Sequence, residues 1–200
     1  MSGDRVYLDY NATAPLSDQC KKTMIGIMDS FGNASSVHFE GRQARSVIEQ
    51  AREKISLSIG ADPENLFFTS GATEGATLLL KNCKIPCATV EHPCVKSWCE
   101  DSLEVSNSGE IKITDSRKST MQLANSETGI LQKIPNGLYM SDIVQGVGKV
   151  KFSFRESGIR SAIISAHKFG GPQGIGAVIT EDNFEIKPQI IGGGQEKGRR

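Results

Sequence analysis

A repeated alternation restricts this 200-residue chain more than any other feature: short apolar runs, each closed by a residue able to do chemistry, are separated by helical stretches. The run from Asn65 to Thr69 leads straight into Ser70-Gly71-Ala72-Thr73-Glu74. Further strand candidates end at Glu91-His92, at Asn125, at Asp142 and at Ala166, and another runs from Ile175 to Thr180. Strands interleaved with helices predict an α/β fold with a mostly parallel sheet flanked by helices. Ligands of open α/β sheets collect beyond the carboxyl ends of the strands. Gly71-Ala72-Thr73, His92, Asn125, Asp142 and His167-Lys168 each follow a predicted strand. The topology is therefore expected to deliver an anion loop, an imidazole, an amide, a carboxylate and a lysine to one crevice.

The clearest helix is predicted over Arg42 to Ile59, where Ala44, Val47, Ile48, Ala51 and Ile55 recur at helical spacing and Gly60 supplies a stop. Its apolar face is expected to cover another element. Ala61-Asp62-Pro63-Glu64 reads as a turn, a second helix follows Gly71 through Leu80, and the polar span from Asp101 to Ser119 reads as loop-rich. No repeat, linker or low-complexity tract divides the chain, so a single domain is expected over residues 1–200.

Lysine plus arginine balance aspartate plus glutamate at 23 each. Without a net field to gather nucleic acid or an anionic membrane, small-molecule ligands fit better. Charges at Arg5, Asp9, Asp18, Lys21 and Lys22 interrupt the first thirty residues, which argues against a secretory signal or a membrane span and for a cytoplasmic protein. Five cysteines (Cys20, Cys83, Cys87, Cys94, Cys99) form no C-x-x-C pair, and the three histidines share no helical spacing, so neither a disulfide framework nor a metal site is expected.

Each candidate residue has a plain reading beside its functional one. Ser70-Gly71-Ala72-Thr73 at a strand-to-helix junction could hold an anion on free backbone N–H groups, or merely cap a helix. Asp142 could keep a pyridine nitrogen protonated, or cap a helix ahead of Ile143-Val144. Gln145 could donate to a phenolate oxygen or face solvent, and His92 could stack on a ring or be a buried histidine satisfied by a neighbour. Lys168 ends an apolar strand and enters the glycine-rich stretch Phe169-Gly170-Gly171-Pro172-Gln173-Gly174, a setting that favours imine formation over the ordinary solvated lysine. Together the set matches what pyridoxal 5'-phosphate (PLP) needs.

The motifs resemble those of the fold-type I, class V PLP enzymes, and among them the NifS/IscS cysteine desulfurases. The resemblance rests on Tyr7-Leu8-Asp9-Tyr10-Asn11-Ala12-Thr13-Ala14-Pro15, Phe31-Gly32-Asn33-Ala34-Ser35-Ser36-Val37-His38 with Gly41-Arg42, and Phe68-Thr69-Ser70-Gly71-Ala72-Thr73-Glu74. Glu91-His92, Asn125-Ser126-Glu127-Thr128-Gly129, Asp142 with Gln145-Gly146-Val147-Gly148-Lys149, Ser165-Ala166-His167-Lys168 and Gly192-Gly193-Gly194-Gln195-Glu196 follow in the family's order. It implies a large PLP domain in which Ala72, Thr73, Ser165 and His167 hold the phosphate. Asp142 would pair with the pyridine nitrogen, Gln145 and the residue at Ser126 would meet the ring oxygen, His92 would stack on the ring, and Lys168 would carry the imine. The implied reaction converts L-cysteine to L-alanine with sulfur transfer for iron-sulfur or thio-cofactor assembly. The implied setting is a homodimer working with a scaffold or sulfur-acceptor protein.

Departures from the family pattern qualify these implications. Ser126 stands where the family usually has a second asparagine, which puts that contact in question, and Ala34 replaces a proline. The stretches between Gly71 and His92, His92 and Asn125, and Glu127 and Asp142 look shortened. The chain closes at Gly198-Arg199-Arg200, where the family continues into a small domain carrying the nucleophilic cysteine loop and a substrate-binding arginine. Neither Cys94 nor Cys99 resembles that loop, and Arg199 and Arg200 are expected to be poorly ordered. The reading is thus a desulfurase incomplete on its own, either a reduced one or one half completed by a second polypeptide supplying the small domain, or alternatively a non-catalytic PLP-binding remnant or partner-binding scaffold, with a different amino-acid substrate as a third reading.

Overall fold

The computed structural model describes residues 5–200, so residues 1–4 of the expected 1–200 unit lie outside the described residues. Side chains that accept free first-turn amides set the helix starts. Ser17 Oγ accepts from Cys20 N at 3.2 Å to open α1 (Asp18–Met28), and His38 Nδ1 accepts from Gly41 N at 3.4 Å to open α2 (Phe39–Ile59). The histidine cap starts α2 before Arg42, where the apolar spacing begins. Gly60 ends it in the left-handed region (φ 65°), with Ser153 packed where a side chain would project. The expected apolar face of α2 is covered only in part: Ala44, Ala51 and Ile55 are half-buried and Val47 and Ile48 remain 38% exposed, while Gly41, Arg52, Ser56 and Ile59 are buried.

The chain continues through β1 (Leu66–Thr69), α3 (Ala72–Leu80), β2 (Pro86–Ala88), α4 (Pro93–Lys96), β3 (Glu100–Leu103), β4 (Thr120–Gln122), β5 (Met140–Asp142), α5 (Phe154–Ser157), β6 (Ser161–Ser165) and β7 (Gly176–Thr180). The five-stranded sheet has the order β1-β7-β6-β5-β4. The β4–β5 and β5–β6 pairs are parallel, while β7 is antiparallel to both β6 and β1. The sheet is therefore mixed in its pairings, although β1, β4, β5 and β6 all point the same way and β7 alone is reversed. The reversal follows from the short connection: residues 166–175 cannot accommodate the crossover of a dozen or more residues that a parallel return requires.

Successive residues of the central strands serve two cores. Ala162 and Ile164 of β6, Ala177 and Ile179 of β7 and Leu66 of β1 pack into one apolar cluster with Ile59, Ile143 and Phe154. Ile163, Val178 and Phe67 point the other way, against Leu78, Leu79 and Leu80 of α3. Burial on both faces explains why these strands read as continuous apolar runs.

Two expected strand ends shift. The strand expected to reach Glu91-His92 stops at Ala88 and pairs with β3 in a separate two-stranded sheet, a turn carrying the chain on to His92. β4 stops at Gln122, short of Asn125. β3 occupies the start of the polar span, and the remainder is loop, bridges and one short turn of helix. Among the described residues no helix is long and apolar enough to cross a membrane.

Candidate active site

The same-direction strands end at one edge of the sheet, and a cavity of about 570 Å³ opens there. Ala72, Thr73, His92, Ser126, Asp142, Gln145, Ser165, His167 and Lys168 all line it. Asn125 does not join them. It is 3% exposed, its side chain donates to Val90 O and accepts from Glu127 N and Thr128 N, and its capacity is spent on holding the turn after β4.

At the β1–α3 junction Gly71 contributes no side chain to cap α3, so its first-turn N–H groups face the cavity without competition from a capping oxygen. Backbone crowding fixes this loop. A Cβ on Gly176 would lie 2.5 Å from Ile164 O and 2.7 Å from the Gly71 Cα, so only glycine lets β7 pass that close. Behind the loop Glu74 accepts from Ser70 N at 2.7 Å and from Arg200 Nε at 2.7 Å. The expectation of a loose tail therefore fails at both arginines: Arg200 is tied to Glu74, and the Arg199 guanidinium sits 5.1 Å from the Phe67 ring centroid.

Asp142 lines the cavity and also shapes the backbone that follows it. Its Oδ1 accepts from Val144 N at 2.9 Å, shaping a turn rather than an α-helix, and its Oδ2 accepts from Gln122 Nε2 at 3.3 Å. Burial raises its pKa, opposed by these hydrogen bonds and by the charges of His92 and Lys168. Gln122 also engages Ser126 through both side-chain atoms, and its backbone N donates to Glu91 Oε1 at 2.9 Å. Glu91 is 2% exposed, its Oε2 has no partner among the described residues, and burial pushes its pKa up to about 8.

His92 caps α4, its Nδ1 accepting from Cys94 N at 3.2 Å, so the neutral ring carries its proton on Nε2. The Cys94 thiol, 3.0 Å from the same nitrogen, also lines the cavity. Burial, with Asp142 and Glu91 nearby, pushes that thiol up to about 12. Lys168 follows β6 in a single turn of tight helix and donates from Nζ to Asn11 O at 2.8 Å and Ala12 O at 2.9 Å. Gln145, half-buried, donates from Nε2 to Asn11 O at 2.9 Å and accepts from Lys149 Nζ. His167 is held by Thr13 at 3.1 Å, and its pKa is lowered by burial and then by Lys168.

Asn11, Ala12, Cys94 and Gln122 line the cavity without having been assigned to it from sequence. Gln122 had no local signal, being one polar residue in a buried strand. Asn11 and Ala12 lay within a quoted motif to which no role attached.

The Aminotransferase class-V family model matches residues 6–99 and 109–198, and the chain belongs to that family, a class of PLP-dependent enzymes. Within it, the chain is 34% identical over 231 aligned positions to cysteine desulfurase IscS of Dictyoglomus turgidum, covering 98% of this chain and 59% of that protein. The aligned length exceeds this chain's 200 residues, so the relative carries stretches that this chain lacks, in keeping with the shortened segments seen in the sequence. A solved NifS-like protein superposes with a TM-score of 0.90 at 31% identity, over 98% of this chain and 64% of that one. The structure of SspA in complex with cysteine does so with a TM-score of 0.88 at 28% identity, over 98% and 67%. The chain thus spans about three fifths of the length of the curated relative.

Proposed function

We propose that this chain is the PLP-binding part of a cysteine desulfurase, one unit over residues 1–200, with Lys168 as the residue that bonds the cofactor. The observation that carries the reading is the convergence of an uncapped helix N-terminus, a fully buried carboxylate and a lysine on one cavity. The donor set fits the group. First-turn amides of α3 with Thr73, Ser165 and His167 suit a phosphate, and Asp142 suits a protonated pyridine nitrogen, whose positive charge would oppose the upward pull of burial on that carboxyl. His92 offers an imidazole held in one tautomer by the start of α4. Gln145 and Ser126 would supply donors to a ring oxygen, with Gln122 orienting Ser126 and Asp142 together.

When bound, PLP withdraws electrons from an amino acid's α-carbon and makes its proton acidic. The chain's part is to hold the ring, keep its nitrogen charged and present a lysine amine. The proposed substrate is L-cysteine or a similar amino acid, in line with the cysteine-bound structural relative. Sulfur transfer requires a thiolate, and Cys94, the cysteine lining the cavity, is held as the neutral thiol near pH 7. The chain by itself is therefore proposed to accept the amino acid without efficient sulfur release.

The experiment supplies L-cysteine to PLP-loaded protein and follows absorbance, alanine and sulfide together. A spectral change with little alanine is expected. No spectral change would overturn the substrate assignment, and sustained alanine formation lost in Cys94→Ala would overturn the idle thiol.

A further inference from the structure

The segment from Tyr7 to Pro15 forms a strap whose middle residues, Asn11 and Ala12, line the cavity. Tyr7 Oη donates to Asp9 O at 2.7 Å and Thr13 O at 3.0 Å, while Ala12 N and Thr13 N donate to Asp9 O, closing the strap on itself. One end is anchored at the rim of the site by Thr13 Oγ1 to His167 O at 3.2 Å and Ala14 N to His167 O at 2.8 Å, and beyond it by Ser17 N to Gly170 O at 2.9 Å. The part over the cavity is held differently: Asn11 Nδ2 donates to Ser126 O at 3.2 Å, and two successive carbonyls receive the same ammonium, Lys168 Nζ to Asn11 O at 2.8 Å and to Ala12 O at 2.9 Å.

We propose that the carbonyls of Asn11 and Ala12 form a receptor for the uncombined Lys168 ammonium, and that bonding at Nζ releases the strap. The inference rests on Lys168 being the lysine that bonds an aldehyde cofactor. An ammonium carries three N–H bonds and serves both carbonyls at once. On reaction the nitrogen gives up a proton and its lone pair forms the bond to the aldehyde carbon. The carbon–oxygen bond breaks, and the oxygen leaves as water with two of the three ammonium hydrogens. At most one hydrogen stays on the C=N nitrogen, so the two carbonyls cannot both keep their donor. Asn11 O retains Gln145, whereas Ala12 O loses the side-chain donor described for it. When an incoming amine displaces the lysine, the receptor takes the ammonium back. The strap thus reports, and responds to, the covalent state of Lys168.

The test is hydrogen exchange by mass spectrometry on the whole chain, comparing cofactor-free protein, PLP-loaded protein, and cofactor-free Lys168→Met and Lys168→Arg. Amides of residues 12 and 13 should exchange roughly tenfold faster in the loaded protein and in Lys168→Met, the factor that losing one charge-assisted hydrogen bond of about 1.4 kcal/mol produces. Lys168→Arg, which keeps donors, should stay protected, and the anchored amide of Ala14 and those of β6 and β7 should not change. Unchanged exchange at 12 and 13 in both the loaded protein and Lys168→Met would overturn the receptor. If β6 and β7 also lose protection in Lys168→Met, the loaded and free wild-type protein decide between the outcomes. A borohydride-reduced aliquot of the loaded sample is mapped in parallel. PLP found away from Lys168 would sink the functional reading, leaving the cofactor-free variants to judge the receptor.

Discussion

Glu91 and Asp142 are two buried carboxyl groups joined through one glutamine, and they cannot both be charged cheaply. Glu91, with one oxygen unpartnered and its pKa near 8, is the one held neutral at pH 7. Its folded-state value lies above the unfolded one, so the native protein binds the extra proton. The associated stability is present below pH 4.5 and lost as pH rises through about 8. Glu91→Gln removes that titration. The melting temperature of the variant should gain on the wild type steadily from pH 5 to pH 9, whatever the offset at pH 5. Thermal melts across that range check it, and parallel curves would contradict the assignment. At this scale the sequence was partly legible. Asp142 was read as a cofactor partner or a cap, and its Oδ1 does shape a backbone turn beside the cavity, whereas His92, read as a stacking ring or a buried histidine, is an exposed cap of α4 that lines the cavity. Gln122 was not legible, since its importance comes from neighbours across the sheet that no local pattern reports.

The elements around the cavity are tied together by Arg52, which is 3% exposed on α2. Its guanidinium donates to Leu66 O at 2.6 Å, to Glu196 at 2.9 Å twice, and to Glu49 at 2.9 Å, while Glu196 also accepts from Phe68 N at 2.7 Å. This joins α2, β1 and the Gly192–Glu196 motif into one unit. Arg52→Ala leaves Glu196 and Leu66 O facing a void, and should cost about 3 kcal/mol in urea denaturation; a loss under ~1 kcal/mol would show the clip to be ornamental. Gly176→Ala forces β7 away from both Ile164 O and Gly71. It should cost about 1–3 kcal/mol and weaken PLP binding together, because the displaced backbone is the anion loop. Unchanged PLP affinity in a destabilised variant would separate the loop from the proposed site. The existence of α2, α3 and β1 was readable from periodicity and punctuation. The reversal of β7 and the separate β2–β3 pair were not, because pairing partners are set by connection length and packing rather than by the apolar run itself.

Across the whole molecule, the two apolar clusters hold β1, β4, β5 and β6 so that their carboxyl ends face one cavity, with the reversed β7 bringing Gln173 and Gly174 to the same edge. That is why the nine site residues named from sequence all line the cavity even where the strand boundaries were misplaced: a turn of three or four residues beyond a strand still lands at the same edge. Asn125 was lost because its amide is needed inside that turn. Family membership and the likeness to cysteine desulfurases cover nearly all of this chain but only part of those proteins, so the claim that belongs to these residues is cofactor binding at Lys168. The most direct measurement is to load the protein with PLP, reduce with borohydride and map the adduct by peptide mass spectrometry. A single adduct on Lys168, absent from Lys168→Ala, is the expected result. An adduct on Lys149 or Lys151 with Lys168 unmodified would contradict the account.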